Sequence, residues 1–294
     1  AKPTLPYQPL APRIVALLLG LTLIRGGNFI GMKISLSGLT PLFAAGIRNL
    51  IGGIALTAYV IAMRRQLLKY ALSQIGALVL LGGLLAFNFV VVYYGLIHTT
   101  ASRTAILLNA QPLFVALFSR FFIRRDPISI RKVVGLALAF SGVVVVFADK
   151  GSSYGFQTIR GDLMVLIASV VWAVMAIMRK RVAQKVEPSA VATWEMGVSA
   201  LLMLPPGFAI EGVSSIHLTF AVVMATLYCA LLGSAFTFAM NVHLLKNYDI
   251  NAVSSFNFLT PIVGAILGVL LLHEVVTVQL CIGAALVALG IYVV

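Results

Sequence analysis

The amino-acid sequence predicts an all-α polytopic membrane protein with ten transmembrane helices, arranged as two inverted five-helix repeats. Three observations predict this fold: an apolar composition, ten apolar runs of spanning length, and a similarity between the two halves of the chain. Of the 294 residues, 61% are hydrophobic and 10% are charged, whereas an average soluble domain is about 45–50% apolar and about 25% charged. This composition excludes a soluble enzyme, a disordered chain and a nucleic-acid-binding domain, and it makes the lipid bilayer the expected partner.

The apolar runs define the spans in order along the chain. A helix needs about 20 mostly apolar residues to cross about 30 Å of hydrocarbon. Barrel strands would alternate at every second residue, but the run at 78–95 is apolar on all sides. The predicted spans are 14–32, 40–62, 73–97, 101–122, 132–148, 162–179, 190–210, 218–243, 250–272 and 276–294.

The basic residues predict the orientation of these spans. Fifteen of the 21 lysines and arginines fall in segments on the same side as the N-terminus, and four, including Arg103 and Arg160, fall in the opposite loops. Arg25 and Arg48 lie within spans. Because an excess of lysine and arginine marks cytoplasmic loops, both termini are expected in the cytoplasm. The net charge of +13 is therefore a signal of topology.

An internal repeat divides the chain into residues 1–149 and residues 150–294. Segment 92–112 aligns with segment 241–261, and both end in proline. Five spans in each half force the second half to cross the membrane upside down, and such inverted repeats suit alternating access around a midplane cavity. Further matches at nearly constant offset pair Pro41 with Pro188, Arg48 with Glu195, Gly135 with Gly283, and Gly142 with Gly290.

These motifs resemble the EamA-type carriers of the drug/metabolite transporter superfamily. Segment 161–181 is similar to the opening of that family's second repeat, and P-x6-R stands at Pro41 and Arg48. The resemblance covers nearly the whole chain, and it implies a monomeric exporter of small metabolites in a bacterial inner membrane. Amino acids, aromatic or other neutral ones, are the first substrate class that it implies. Two departures from the family pattern are Arg25-Gly26 in place of Trp-Gly and Asp126 in place of Glu.

Two prolines are predicted to bend the helices that line the substrate path. Pro112 and Pro261 each fall about 16 Å into their spans, where a proline removes a backbone hydrogen bond. In lipid the freed carbonyl needs a polar partner, so such breaks face protein or a wet cavity. We expect both prolines to act as hinges, together with Gly26 and Gly27 near the centre of span 1. The alternative is that the prolines are packing kinks and that the glycines are packing positions.

Polar and aromatic residues at membrane depth are the candidate substrate-binding residues. Glu195 is a functional candidate because intramembrane charges are rare and face the interior. It could bind an ammonium group, exchange protons as coupling ions, or pair with Arg25 or Arg48. Arg48 could also snorkel to the outer headgroups, and Arg25 could hold a carboxylate, pair with Glu195, or be an engineered position. The candidate set is Arg25, Asn28, Asn88, Tyr94, Asn109, Gln111, Trp172, Glu195, Ser254 and Asn257.

Other functions stay open at this point. The transported compound could be another metabolite, a drug or a nucleotide-sugar-like molecule, and an intramembrane enzyme or a channel are further classes. The four histidines are scattered near span ends, and neither an HExxH motif nor a phosphate-binding loop is present in the sequence. No metal or cofactor is therefore expected. Asp126 and Glu274 precede spans 5 and 10, and we expect them to cap those helices or to pair with nearby basic residues.

Overall fold

The computed structural model describes residues 12–63, 72–122, 130–148, 155–212, 216–247, 256, 259–275 and 277–293. Within these ranges, six helices are long and apolar enough to cross a membrane, and three shorter helices are also apolar. The helix that carries Glu195 brings the described helical spans to the ten that the sequence predicts.

In the described part of the first half, six α-helices and one short 3₁₀ turn form five spans. Helix α1 covers Pro12–Ser35, α2 covers Pro41–Ala62, and α3 covers Ile75–His98 after a short 3₁₀ turn at Leu72–Gln74. The fourth span is interrupted, since α4 ends at Leu108 and α5 begins at Gln111. Helix α4 covers Ala101–Leu108, α5 covers Gln111–Phe122, and α6 covers Ile130–Ala148.

The second half has the same order of spans. Helix α7 covers Gly155–Val182, and α8 covers Pro188–Pro206 and continues as a π-helical turn over Gly207–Glu211. Helix α9 covers Phe220–Leu227 and runs through a π-helical segment, Tyr228–Phe236, into α10, Thr237–Asn247. Helix α11 covers Leu259–Leu272 and α12 covers Val278–Val293. Helix α7 begins seven residues before the predicted span, so Arg160, which we assigned to a loop, lies in its second turn.

Local sequence explains where several helices begin. Pro41 and Pro188 occupy the first turns of α2 and α8, where a missing N–H costs nothing and the fixed φ favours the helix. The Thr100 side chain caps α4 by accepting from the Arg103 amide, and the Thr219 side chain caps α9 in the same way.

Contacts between helix ends show that the two halves run in opposite directions. Lys33, near the end of α1, donates to the Leu96 and Thr99 carbonyl oxygens near the end of α3. The Thr99 hydroxyl in turn donates to Asp162, in the second turn of α7. Helix α1 therefore runs toward the end of the bundle at which its repeat counterpart α7 begins. We name this the outer end, after the orientation that the sequence predicts, and the opposite end the inner end.

Small residues bring the last helices of the two halves into backbone contact. Helix α6 packs along α12, with Gly142 facing Gly283 and Gly290 facing Ala139. A Cβ on Gly142 would lie 2.7 Å from the Gly283 carbonyl oxygen and 2.8 Å from the Val287 amide nitrogen. The glycines that align between the two halves, Gly135 and Gly142 with Gly283 and Gly290, therefore lie where α6 and α12 touch.

We expect Gly142→Ala to destabilise the protein by about 1–3 kcal/mol, because the added methyl group meets backbone that cannot move aside. Gly197→Ala is the matched control, since a Cβ there meets nothing within 4 Å and alanine is the better helix former. Thermal unfolding of the detergent-solubilised variants measures both. Equal Tm values would contradict this account of the α6–α12 contact.

Candidate functional site

A buried ion pair joins the two halves near the outer end. The Arg103 guanidinium in α4 donates from Nε to the Asp162 carboxylate at 2.9 Å and from Nη2 to the Val146 carbonyl oxygen at 2.6 Å. The Thr99 hydroxyl donates to the other Asp162 oxygen at 2.6 Å. Arg103 is 2% exposed and Asp162 is fully buried. Our assignment of Arg103 to a loop was therefore wrong, because the carboxylate of α7 draws it into the bundle.

Glu274 stabilises the start of α4 at the same end. Its carboxylate accepts from the backbone amides of Ala101 and Ser102 at 2.7 and 2.9 Å, and from the Ser102 hydroxyl. A carboxylate at a helix N-terminus satisfies free N–H groups and opposes the positive end of the helix dipole. We expected Glu274 to cap the helix that follows it or to pair with nearby basic residues; in the structure it caps α4 of the other half. Its repeat counterpart, Asp126, lies outside the described residues.

A second ion pair lies near the inner end and defines the surroundings of Glu195. Arg179 in α7 donates from Nε to both Glu195 carboxylate oxygens at 2.9 Å, and from Nη2 at 2.6 Å. Its guanidinium stacks over the Trp172 ring, 4.7 Å from the ring centroid. Glu195 is 2% exposed. The alternative that Glu195 pairs with Arg25 or Arg48 is wrong, because the Arg179 guanidinium lies within hydrogen-bond distance of its carboxylate.

Arg48 has a different environment from these two arginines. It is 3% exposed, so it does not snorkel to the headgroups as the alternative interpretation had it. Its Nε and Nη2 donate to the Ser234 hydroxyl at 3.2 and 3.0 Å, and its guanidinium lies over the Phe89 ring at 4.7 Å. Its Nη1 is buried without a hydrogen-bond partner among the described residues.

A chain of hydrogen bonds leads from Arg48 to Asn28 through the π-helical segment. The Ser234 hydroxyl donates to the Cys229 carbonyl oxygen at 3.0 Å, and the Cys229 thiol donates to the Asn28 carbonyl oxygen. Asn28 Oδ1 is buried and, among the described residues, has no hydrogen-bond partner; it lies against Gly233. π-Helical turns are frequent at functional sites. This one contacts both α1 and α2, which carry the two groups without a hydrogen-bond partner among the described residues, Asn28 Oδ1 and Arg48 Nη1.

The remaining candidates on α1 serve close packing and one long-range hydrogen bond. Arg25 donates to Asn241 Oδ1 in α10 at 2.6 Å. A Cβ on Gly26 would meet Val263 of α11, and one on Gly27 would meet the Tyr228 hydroxyl. Helix α1 runs unbroken through both glycines. Their proposed role as hinges stays a prediction.

Other candidate residues are dispersed over the bundle. Asn88 is fully buried and donates to the Ala168 carbonyl oxygen in α7 at 2.6 Å. The Tyr94 hydroxyl donates to Glu211 at the outer end, and Glu211 also accepts from the Leu42 amide at the start of α2. The Trp172 and Phe89 rings pack in a T-shaped arrangement, and Phe89 contacts both Trp172 and Arg48.

The two prolines lie in different settings. Asn109 and Ala110 form the turn that separates α4 from α5, and Gln111 and Pro112 begin α5. The Asn109 side chain donates to the Ala105 carbonyl oxygen at the end of α4. Pro261 is the third residue of α11 and is buried. The candidates Ser254 and Asn257 precede α11 and lie outside the described residues.

An apolar groove of about 520 Å³ opens in the inner half of the bundle, between α1, α2 and the α9–α10 helix. Its polar lining groups are Tyr59 and His243. On the outer side of the groove, a Cβ on Gly52 would lie 2.5 Å from the Met196 methyl carbon and 3.0 Å from the Ala230 carbonyl oxygen. Helix α2 therefore touches α8 and the π-helical segment directly between the groove and Arg48.

The fold and these buried charges define a helical membrane protein built from two repeats. The EamA-like transporter family matches residues 12–148 and 159–294, and the chain belongs to this family. It is a membrane transporter. The match occurs twice, once in each half, as the internal repeat predicts.

Similar proteins of known sequence include three transporters. An uncharacterized transporter of Archaeoglobus fulgidus is 31% identical, covering 94% of this chain and 95% of that protein. A "probable amino-acid metabolite efflux pump" of Salmonella typhimurium is 27% identical over 91% and 90%. The uncharacterized inner membrane transporter YedA of Escherichia coli is 27% identical over 89% and 83%.

A solved crystal structure superposes on the chain with a TM-score of 0.69, covering 96% of both chains. Its sequence identity is 18%, so this likeness concerns the fold alone.

We expect Asp162→Leu alone to destabilise the protein by about 3–5 kcal/mol, because it leaves the buried Arg103 charge without its carboxylate. The double variant Arg103→Met/Asp162→Leu should recover most of that loss, since apolar side chains of similar volume often replace a buried ion pair without penalty. Thermal unfolding in detergent compares the three proteins. A double variant no more stable than the single one would contradict the pairing.

Proposed function

We propose that the protein exports small metabolites, most readily amino acids, across the inner membrane by alternating access between its two repeats. The apolar groove is the observation that carries this proposal. Its volume of about 520 Å³ lies in the range of small-molecule sites, which are mostly apolar with a few polar groups. The amino-acid class is supported further by the name of the Salmonella relative, and the inner membrane by that of YedA.

Helix geometry connects the groove with the polar groups deeper in the bundle. On α2, Arg48 precedes the groove residues Ala55 and Tyr59 by seven and eleven positions, which places all three on one face. On α1, Asn28 follows Ile14 by fourteen positions and shares its face in the same way. The faces that line the groove therefore continue toward Arg48 and Asn28.

Contacts on both sides separate Arg48 from the two ends of the bundle. Toward the inner end, Gly52 packs against Met196 and Ala230. At the outer end, the His217 amide donates to the Gly38 carbonyl oxygen at 2.8 Å. In alternating access, such contacts open one side at a time around a fixed site near the midplane. Facilitated exchange and proton-coupled export are both compatible with this arrangement, and Glu195 is the proposed proton-exchanging group in the second case.

We expect proteoliposomes that contain the protein to catalyse counterflow: labelled amino acid accumulates when unlabelled substrate is present inside. Ala239→Trp should reduce this flux at least tenfold, because the indole ring fills the groove that Ala239 lines. Leu163→Trp is the matched control, since Leu163 lies on the bundle surface, 49% exposed, and its replacement should leave the flux unchanged.

A panel of amino acids tested at several pH values separates the substrates and the coupling ion. Flux that rises with an opposing proton gradient would support proton coupling. If no amino acid supports counterflow, the amino-acid assignment is wrong. If flux is not saturable and shows no exchange against unlabelled substrate, the protein is a channel.

A further inference from the structure

We infer that Arg48 binds the carboxylate of the transported molecule, an inference that rests on the proposed function and names the anion site within it. Arginine keeps its charge under all conditions in proteins. Arg48 lies about 10 Å from the start of α2, inside the membrane span, and is 3% exposed. A charge at that depth is costly unless it is paired. In the part of the chain that the structure describes, no carboxylate lies within ion-pair distance of it.

The two paired arginines show that the fold supplies carboxylates where it requires them. Arg103 has Asp162 and Arg179 has Glu195, each within hydrogen-bond distance. Arg48 has only uncharged neighbours among the described residues: the Ser234 hydroxyl, the buried Tyr93 hydroxyl and the Phe89 ring. Each is a weaker partner for a guanidinium than a carboxylate is. The lack of a carboxylate partner therefore distinguishes Arg48 from Arg103 and Arg179.

The internal repeat shows which position could have supplied a partner. Arg48 and Glu195 occupy equivalent positions, 147 residues apart. Glu195 pairs with Arg179, and the position 147 residues before Arg179 is Met32, which is buried. One half thus contains both members of a charge pair, whereas the other half contains the arginine alone and a thioether at the partner position.

One nitrogen of the guanidinium has no hydrogen-bond partner among the described residues. Ser234 accepts from Nε and Nη2, and Phe89 covers a face of the plane. Nη1 remains as a buried donor with no partner among the described residues. These contacts fix the orientation of the guanidinium, so that a carboxylate accepting from Nη1 meets a preorganised group. This bond would convert an unpaired buried charge into a charge-assisted hydrogen bond.

Asn28 adds a second group that fits an amino acid. Its side-chain Oδ1 is a buried acceptor without a partner in the described structure. Its backbone carbonyl oxygen accepts from the Cys229 thiol, and the Cys229 carbonyl oxygen accepts from Ser234, which contacts Arg48. An α-amino acid carries a carboxylate for Arg48 and an ammonium group for an amide oxygen. The apolar faces that lead to the groove then suit a neutral or aromatic side chain. We therefore assign the carboxylate to Arg48 and the ammonium group to Asn28.

The experiment measures ligand-induced thermal stabilisation of the purified protein in detergent. The probes are L-phenylalanine and L-leucine, each beside its decarboxylated amine and its deaminated acid. Because a ligand that binds the folded state raises Tm with concentration, we expect the amino acids to give the largest shifts, the acids smaller ones, and the amines none. In Arg48→Gln the shifts with amino acids and acids should disappear.

Two variants keep the result interpretable. Arg160→Gln removes an exposed arginine and should retain every shift. Arg48→Lys keeps the charge and should retain a reduced shift, even if Arg48→Gln does not fold. Equal shifts in Arg48→Gln and the parent protein, or no shift of the parent with any acid or amino acid, would overturn the inference.

Transport measurements separate this inference from the proposed function. If amino acids undergo counterflow and Arg48→Gln transports them equally well, the carboxylate site is wrong and the function stands. If acids stabilise the parent but not Arg48→Gln, and no amino acid is transported, the site stands and its carboxylate belongs to a different metabolite.

Discussion

A charge inside a bilayer has to be neutralised within the helix bundle, and this constraint organises the interior of the protein. Asp162 draws Arg103 into the bundle near the outer end, and Arg179 pairs with Glu195 near the inner end. Both pairs connect helices that are not held together by backbone hydrogen bonds, and removing either arginine would leave a buried carboxylate without its counter-charge. Arg48 meets the same constraint with no carboxylate among the described residues, and its assignment as the substrate anion site follows from that difference.

The inverted repeat explains how a chain with two similar halves has paired arginines at two places and an arginine without a carboxylate partner, Arg48, at a third. Two halves of similar sequence give the bundle its pairs of equivalent helices, including the α6–α12 contact at matched glycines. Equivalent positions of the two halves differ in charge: in the alignment of the repeats, Arg48 is equivalent to Glu195, and Met32 is equivalent to Arg179. A symmetric scaffold with an asymmetric interior suits a transporter, because the scaffold allows equivalent outward and inward states while a single set of side chains binds the ligand.

The sequence predicts the fold well because hydropathy, spacing and the repeat are local or periodic signals. Every predicted span that the structure describes coincides with helix, and the break at Asn109 lies three residues before Pro112. The charge pairs were not predictable in the same way. Arg103 and Asp162 lie 59 positions apart on helices of different halves, and their meeting depends on helix rotation, which the apolar faces do not specify. Glu195 was identified by its depth alone, whereas its partner Arg179 looked like one more basic residue at a span end.

Supplying Arg48 with an internal carboxylate tests the central claim most directly. Met32→Glu places a carboxylate at the position equivalent to Arg179, and Met32→Gln is its uncharged control. We predict that Met32→Glu unfolds at a higher temperature than Met32→Gln, because the new pair neutralises Arg48, and that only the glutamate variant loses thermal stabilisation by L-phenylalanine and its deaminated acid. A glutamate variant that is less stable than the glutamine variant, or one that responds fully to both ligands, would contradict the claim that the Arg48 charge is kept free for a substrate carboxylate.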